Sequence, residues 1–111
     1  MRMWMVDPSK MCRKHLLGEH VECHMFLGVL RKGWNVQGYL DNNLFEPSSL
    51  FARHYVLFQE MFRRGYHHNS PMDISEVEAL IMGLPNRTIF IAAAELDLIQ
   101  RCTECRKLHD G

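Results

Sequence analysis

The sequence predicts a compact all-α domain built from three main helices. An alternation of apolar and polar residues, which is typical of a half-buried strand, nowhere lasts long enough to predict a sheet. The stretch 88–92 (Thr-Ile-Phe-Ile-Ala) comes closest, but the Ala-Ala-Glu-Leu that follows it favours a helix. Of the 111 residues, 47% are hydrophobic and 23% are charged, so the chain can bury a core and wholesale disorder is excluded.

The first helix is predicted from Pro8 to about Lys32. Asp7 is a suitable N-cap, and a proline is well tolerated at the first helical position that follows it. Gly33 ends the helix, and Gly18 is a point at which it could kink or divide in two. Residues 33–47, rich in Gly and Asn, are predicted to form an ordered loop.

The second helix is predicted to open at residues 47–49 (Pro-Ser-Ser) and to end at Gly65. Residues 67–72 form a connector. Asp73 or Ser75 then caps a short helix that runs through Met82. Asn86 caps the last main helix, which is predicted over residues 87–101.

The charge balance excludes a protein that holds nucleic acid by bulk positive charge. Thirteen basic side chains cancel thirteen acidic ones, so the net charge is zero, although local basic patches remain possible. No apolar run approaches the roughly 20 residues of a membrane span, and no secretory signal is visible. We therefore expect an intracellular protein, cytoplasmic or nuclear, that has no contact with a membrane.

A stripe on the first helix combines carboxylates, an imidazole and apolar side chains. On a helical wheel His15, Glu19 and Glu22 fall within about 60° of one another, and the stripe continues into Phe26 and Val29. Apolar neighbours disfavour the charged carboxylate, which keeps an acid available near neutral pH. The alternative is an ordinary amphipathic helix whose glutamates are solvated.

Four cysteines in a chain without an export signal are expected to be thiols rather than disulfides. Cys102 and Cys105 form a C-x-x-C pair, and Cys12 and His15 lie one helical turn apart. Together these four residues could form a Cys3His zinc site, whereas the alternative is a set of reduced thiols. Because the sequence does not indicate that the two pairs meet, no metal and no cofactor are expected.

Three segments are similar to one family of repair enzymes. They are Met1-Arg-Met-Trp-Met-Val-Asp-Pro with His15-Leu-Leu-Gly-Glu-His-Val-Glu-Cys-His, Glu46-Pro-Ser-Ser-Leu-Phe-Ala-Arg-His54, and Glu60-Met-Phe-Arg-Arg-Gly-Tyr66. The chain resembles the endonuclease V-type pyrimidine-dimer DNA glycosylases. The resemblance covers most of the chain and implies one glycosylase-like helical domain over residues 1–111, with the N-terminal segment threading between the helices.

The resemblance also implies an activity. A member of this family excises pyrimidine dimers from UV-damaged DNA and then cleaves the resulting abasic site as a lyase. Carried over to this sequence, the nucleophile is the α-amine of Met1 and the acid–base partner is Glu22. An α-amine has a lower pKa than a lysine ammonium, so more of it is neutral and nucleophilic near pH 7.

The expected partner is double-stranded DNA that contains a lesion, and the protein is expected to act as a monomer. The residues expected to bind substrate or DNA are Arg2, Arg13, Lys14, His15, Arg53, His54, Arg63 and Arg64. Arg53 has a second possible role, in which it enters the pocket and pairs with Glu22.

Two departures from the family pattern leave other functions open. One member of the family is a phage enzyme, in which two arginines flank the glutamate; Val21 and Met25 replace them here. The segment with Cys102 and Cys105 replaces the aromatic C-terminal tail of that enzyme. One alternative keeps the fold and the lyase chemistry but acts on a different lesion. The other is a non-enzymatic, zinc-stabilised helical binding module.

Overall fold

The computed structural model describes residues 1–67 and 70–111, and it confirms the predicted all-α fold. No strand is present in this part of the chain. The helices are α1 (Arg13–Arg31), α2 (Gln37–Asp41), α3 (Leu50–Arg63), α4 (Ile74–Ile81), α5 (Ile91–Arg101) and α6 (Thr103–Asp110). The helix α1 packs mainly on α3, and α5 packs mainly on α6. Residues 68 and 69 of the predicted connector lie outside the described residues.

The helix α1 begins five residues later than the sequence predicts. Asp7 does act as a cap, but its side chain accepts a hydrogen bond from the Ser9 N–H at 3.0 Å and caps only a 3-10 turn, Pro8–Lys10. The backbone then extends, and Cys12 becomes the cap of α1. The helix runs unbroken through Gly18.

Three further predictions need correction. The predicted loop 33–47 contains the short helix α2, and the second main helix opens with a 3-10 turn, Pro47–Ser49, before α3. The helix α5 begins at Ile91 rather than at residue 87, and its cap position is Phe90 rather than Asn86. The N–H groups of Ile89 and Phe90 donate to the side chains of Glu46 and Asn43, in the loop between α2 and α3. These bonds hold the segment before Ile91 outside the helix.

Besides α2, the helix α6 was not predicted from the sequence. Cys102 ends α5 and at the same time caps α6, which continues to Asp110. The prediction for the short helix was accurate, since α4 begins after Asp73 and the Asp73 side chain accepts from the Ser75 N–H at 2.9 Å. No helix in the ranges 1–67 and 70–111 is long and apolar enough to cross a membrane.

The N-terminal segment is buried between the helices, as the resemblance implied. Met3, Trp4 and Val6 belong to the same core cluster as Phe26 of α1 and Phe45 of the following loop. The Phe26 and Phe45 rings stack with centroids 4.3 Å apart, at the centre of that cluster. Burial of several large apolar side chains in the first eleven residues is what holds this segment in place.

Two arginines of the α3 region bind the backbone of the N-terminal segment. Arg53 donates to the Val6 carbonyl oxygen at 2.8 Å. Arg64, which follows α3 directly, donates to the carbonyl oxygens of Pro8 at 3.1 Å and Met11 at 2.7 Å. The Pro8 carbonyl oxygen also accepts from the Met11 N–H of the 3-10 turn, whereas for Val6 and Met11 the arginines supply the hydrogen-bond donor. They fix the path by which the chain terminus approaches α1.

Candidate active site

A cavity of about 460 Å³ lies where the N-terminal segment passes the first turns of α1. Four parts of the chain form its walls. They are Met1, Arg2 and Trp4 from the terminus; Lys14, His15, Gly18, Glu19 and Glu22 from α1; and Leu44 with Arg101 from the loop and from α5. We call this space the terminal cavity.

Glu22 is half-buried in the terminal cavity and is held by the chain terminus. The main-chain N–H of Arg2 donates a hydrogen bond to its carboxylate, and the charge of the terminal amine acts on it from nearby. Burial raises the pKa of Glu22 above the ordinary glutamate value, and these two interactions offset the rise only in part. The carboxyl group can therefore exchange a proton closer to neutral pH than a solvated glutamate can.

The chain terminus is anchored through Arg2 and Met3. Met3 is fully buried, and its N–H donates to the Leu44 carbonyl oxygen at 2.8 Å. The Arg2 guanidinium pairs with Asp97 of α5 at 3.0 Å and lies over the Trp4 ring, 3.7 Å from its centroid. The position of the terminal amine relative to Glu22 is thus set by packing and not by a free chain end.

A buried ion pair forms part of the cavity wall. Arg53 donates to both carboxylate oxygens of Glu19, at 2.6 and 2.8 Å, and both side chains are almost fully buried. From the sequence, Arg53 is expected either to bind a DNA phosphate or to enter the pocket and pair with Glu22. The observed pairing with Glu19 and with the Val6 carbonyl instead favours a structural role for this arginine.

His15 and His54 occupy different environments. His15 lines the terminal cavity with its ring edge-on to Trp4, and burial lowers its pKa, assisted by the positive charges of Lys14 and Arg101. His54 is buried on α3 and lines a separate, largely apolar cavity of about 360 Å³. Of the two predicted histidines, only His15 lines the cavity that contains Glu22.

A third cavity, of about 570 Å³, is lined by basic side chains, mainly from the start of α1 and the end of α3. Those that line it include Arg13, Lys14, Arg63, Arg64 and Lys107. We call it the basic cleft. Because Lys14 lines both spaces, the basic cleft adjoins the terminal cavity. Four of the residues expected to bind DNA therefore share one surface.

Two groups of metal-ligating side chains come together in the described part of the chain. The first, here called the Cys–His cluster, contains Cys12, His15, Cys102 and Cys105, whose ligand atoms all lie within 4.8 Å of one another. The second, here called the histidine cluster, contains His20, His24 and His54. From the sequence, the first group was a possible zinc site whose two halves were not known to meet, and the second group was not predicted.

Some of the missed residues left a signal in the sequence. His20 and His24 are four residues apart on α1, the spacing that places two side chains on one helical face. Arg101 gave no such signal, because it reaches the terminal cavity through the packing of α5 against the N-terminal segment.

These features define a class of protein: a small helical domain whose buried N-terminal segment meets a glutamate of its first long helix. The family model described as pyrimidine dimer DNA glycosylase matches residues 1–74, which is 74 of 111 residues. The chain therefore belongs to the pyrimidine dimer DNA glycosylase family, and damaged DNA is its substrate. No curated protein and no solved structure matches the chain.

Proposed function

We propose that this glycosylase removes the damaged base by attack of the Met1 α-amine, with Glu22 as the acid–base partner, and that it then cleaves the strand as an abasic-site lyase. The observation that carries the proposal is the meeting of Met1 and Glu22 in the terminal cavity, with the Arg2 N–H bound to the Glu22 carboxylate. An amine nucleophile beside a partly buried carboxyl group is the arrangement that covalent catalysis of this kind needs.

The chemistry proceeds in two stages. The amine nitrogen attacks the anomeric carbon of the damaged nucleotide, and the base leaves as its bond to the sugar breaks. The carboxylate of Glu22 accepts the proton that the attacking nitrogen loses. The bond between the anomeric carbon and the ring oxygen then breaks: the ring oxygen takes up the proton held by Glu22, and the nitrogen lone pair forms the imine. This imine acidifies the neighbouring sugar carbon, so that loss of its proton expels the 3′ phosphate and cuts the strand.

Several neighbours support binding of a flipped nucleotide in the terminal cavity. In the described part of the chain, the buried Nε of Arg2 has no hydrogen-bond acceptor, so a phosphate or base oxygen could accept from it. Trp4 is almost fully buried and contacts both Arg2 and His15, so it holds these two polar side chains at the cavity wall. A poorly stacked lesion costs less to extrude than a normal base, which favours damaged sites.

The basic cleft is the proposed path of the DNA backbone. Arg13, Lys14 and Arg63 are exposed, and cations of this kind bind phosphates without reading sequence. Arg64 is largely committed to the N-terminal segment and to Glu60, so it contributes positive potential to the cleft more than a direct contact. Because the net charge of the whole chain is zero, we expect few phosphate contacts outside this cleft and a low non-specific affinity.

Substitution of Glu22 by Gln tests the proposed activity. The variant keeps the side-chain volume but cannot accept a proton, so base excision and strand cleavage on a dimer-containing duplex should both fall by at least about a hundredfold. Binding to the damaged duplex should persist, as measured by gel shift or fluorescence anisotropy. Turnover within a fewfold of wild type would show that the Glu22 carboxylate has no part in the reaction.

A further inference from the structure

We propose that the Cys–His cluster (Cys12, His15, Cys102 and Cys105) binds one zinc ion, which joins the start of α1 to the junction of α5 and α6. The site adjoins the terminal cavity through His15, but it has no part in the proposed reaction, because all four ligands come from the protein and no open position remains for a substrate. Its occupancy can be measured without DNA, so it is tested independently of the proposed activity.

The separations of the ligand atoms match a tetrahedral site. Zinc lies about 2.3 Å from thiolate sulfur and about 2.0–2.1 Å from imidazole nitrogen, so two sulfurs on one tetrahedron are about 3.8 Å apart. The Sγ atoms of Cys12 and Cys102 are 3.8 Å apart. This distance is far longer than the roughly 2.0 Å of a disulfide bond, and all four cysteines of the chain are free thiols.

The histidine also fits as the fourth ligand. A sulfur and a nitrogen on the same tetrahedron should lie about 3.5–3.6 Å apart. The His15 Nδ1 lies 3.2 Å from the Cys12 Sγ and 3.7 Å from the Cys105 Sγ, on either side of that value. Three sulfurs and one nitrogen from two distant parts of the chain thus converge on one point.

The backbone around the cluster is arranged to stabilise thiolates. Cys12 caps α1, and its Sγ accepts a hydrogen bond from the His15 N–H at 3.5 Å. Cys102 caps α6 in the same way, and its Sγ accepts from the Cys105 N–H at 3.4 Å. The Cys12 N–H donates to the Cys105 Sγ at 3.3 Å. Two helix N-termini therefore donate to the two cap sulfurs, and a third N–H donates to the Cys105 sulfur.

Metal content and cobalt spectra test the zinc site in the whole chain. The purified protein should contain zinc, and exchange for Co²⁺ should give the visible bands of tetrahedral cobalt together with a thiolate-to-cobalt charge-transfer band. Cys102→Ser, chosen because Cys102 is only half-buried, should lose about one zinc per chain and the charge-transfer band. Cys23→Ala, which removes the thiol of α1 outside the cluster, should keep both.

The wild-type measurement decides the matter even if Cys102→Ser folds poorly. Removal of zinc from the wild type by a chelator should lower Tm, because a structural metal contributes directly to folding. The proposal would be overturned if the reduced wild-type protein, mixed with Co²⁺, showed no thiolate-to-cobalt charge-transfer band. So would a stable Cys12–Cys102 disulfide, seen as the loss of two hydrogens in the intact mass.

The geometry points to a second metal site at the histidine cluster. The Nε2 of His54 lies 2.9 Å from the Nε2 of His24 and 3.1 Å from the Nε2 of His20. A neutral imidazole nitrogen carries either one hydrogen or one lone pair, so direct hydrogen bonds account poorly for two such contacts at the same atom. Three Nε2 atoms around one ion would lie about 3.3–3.4 Å apart, close to the observed spacing.

His24→Gln tests this second site separately, because His24 is only half-buried and its replacement should leave the fold intact. The variant should bind about one Zn²⁺ or Co²⁺ fewer per chain than the wild type while keeping the thiolate-to-cobalt band of the Cys–His cluster. The control is His67→Gln, which removes an exposed histidine outside the cluster. Equal metal content in the wild type and His24→Gln would contradict the second site.

Discussion

Glu19 and Glu22 lie three residues apart on α1, line the same cavity and have opposite surroundings. Both oxygens of the Glu19 carboxylate accept from the Arg53 guanidinium in the protein interior. The carboxyl group of Glu22 is half-buried, and burial raises its pKa. Two identical side chains one helical turn apart therefore have different roles, one structural and one proposed to be chemical.

The raised pKa of Glu22 predicts how stability depends on pH. The folded-state pKa lies above the unfolded value, so the folded protein binds the proton more tightly and stability falls as pH rises through that interval. Glu22→Gln removes this cost, so at neutral and alkaline pH the variant should have a higher Tm than the wild type. The advantage should shrink as pH is lowered through the folded-state pKa.

A matched control is Glu78→Gln, which changes an exposed glutamate of α4. Its Tm difference from the wild type should be small and should not follow the pH pattern of Glu22→Gln. A Tm difference for Glu22→Gln that grows on acidification would contradict the assigned direction of the pKa shift.

For Glu19 we expect the reverse effect. Glu19→Gln leaves the buried Arg53 charge without its partner, which should lower the free energy of unfolding by about 3–5 kcal/mol. Urea denaturation at pH 7 measures the change. A loss of less than about 0.5 kcal/mol, typical of a surface substitution, would show that the pair is not desolvated in solution.

At the scale of elements, the start of α1 and the end of α3 together form the basic cleft. Arg63→Ala and Lys14→Ala should each lower the slope of log affinity against log salt by about one, and should weaken damaged and undamaged duplex alike. Arg31→Ala is the control, because Arg31 pairs with a glutamate as Arg63 does, but it lies eighteen residues along α1 from Arg13, about 27 Å away. Salt slopes that stay at the wild-type value in both cleft variants would exclude the cleft as the DNA path.

Local signals in the sequence were sufficient to predict most of the elements. The amphipathic patterns of α1 and α3, and the cap at Asp73, are encoded within a few residues. The predicted start of α5 was wrong, because the N–H groups before it are bound by Asn43 and Glu46, more than forty residues earlier. A helix start that depends on a distant side chain cannot be predicted from local pattern.

At the scale of the whole molecule, the first residues of the chain contact its last helices, from which they lie far apart in sequence. Arg2 meets Asp97, and Cys12 meets Cys102, across 95 and 90 residues. The family match ends at residue 74, so α5, α6 and two of the four proposed zinc ligands lie beyond it. The sequence could suggest Met1 and Glu22 through a family resemblance, but it could not predict these two long-range contacts.

The central claim is that the Met1 α-amine forms a covalent imine with DNA, and borohydride trapping on an abasic duplex tests it most directly. We predict that peptide mapping of the reduced adduct will place the sugar on the α-nitrogen of Met1, and that N-terminal acetylation or an uncleaved N-terminal tag will abolish trapping. The competing amine is that of Lys14, which lines the same cavity. Undiminished trapping by the blocked protein, with the adduct on Lys14, would contradict the claim.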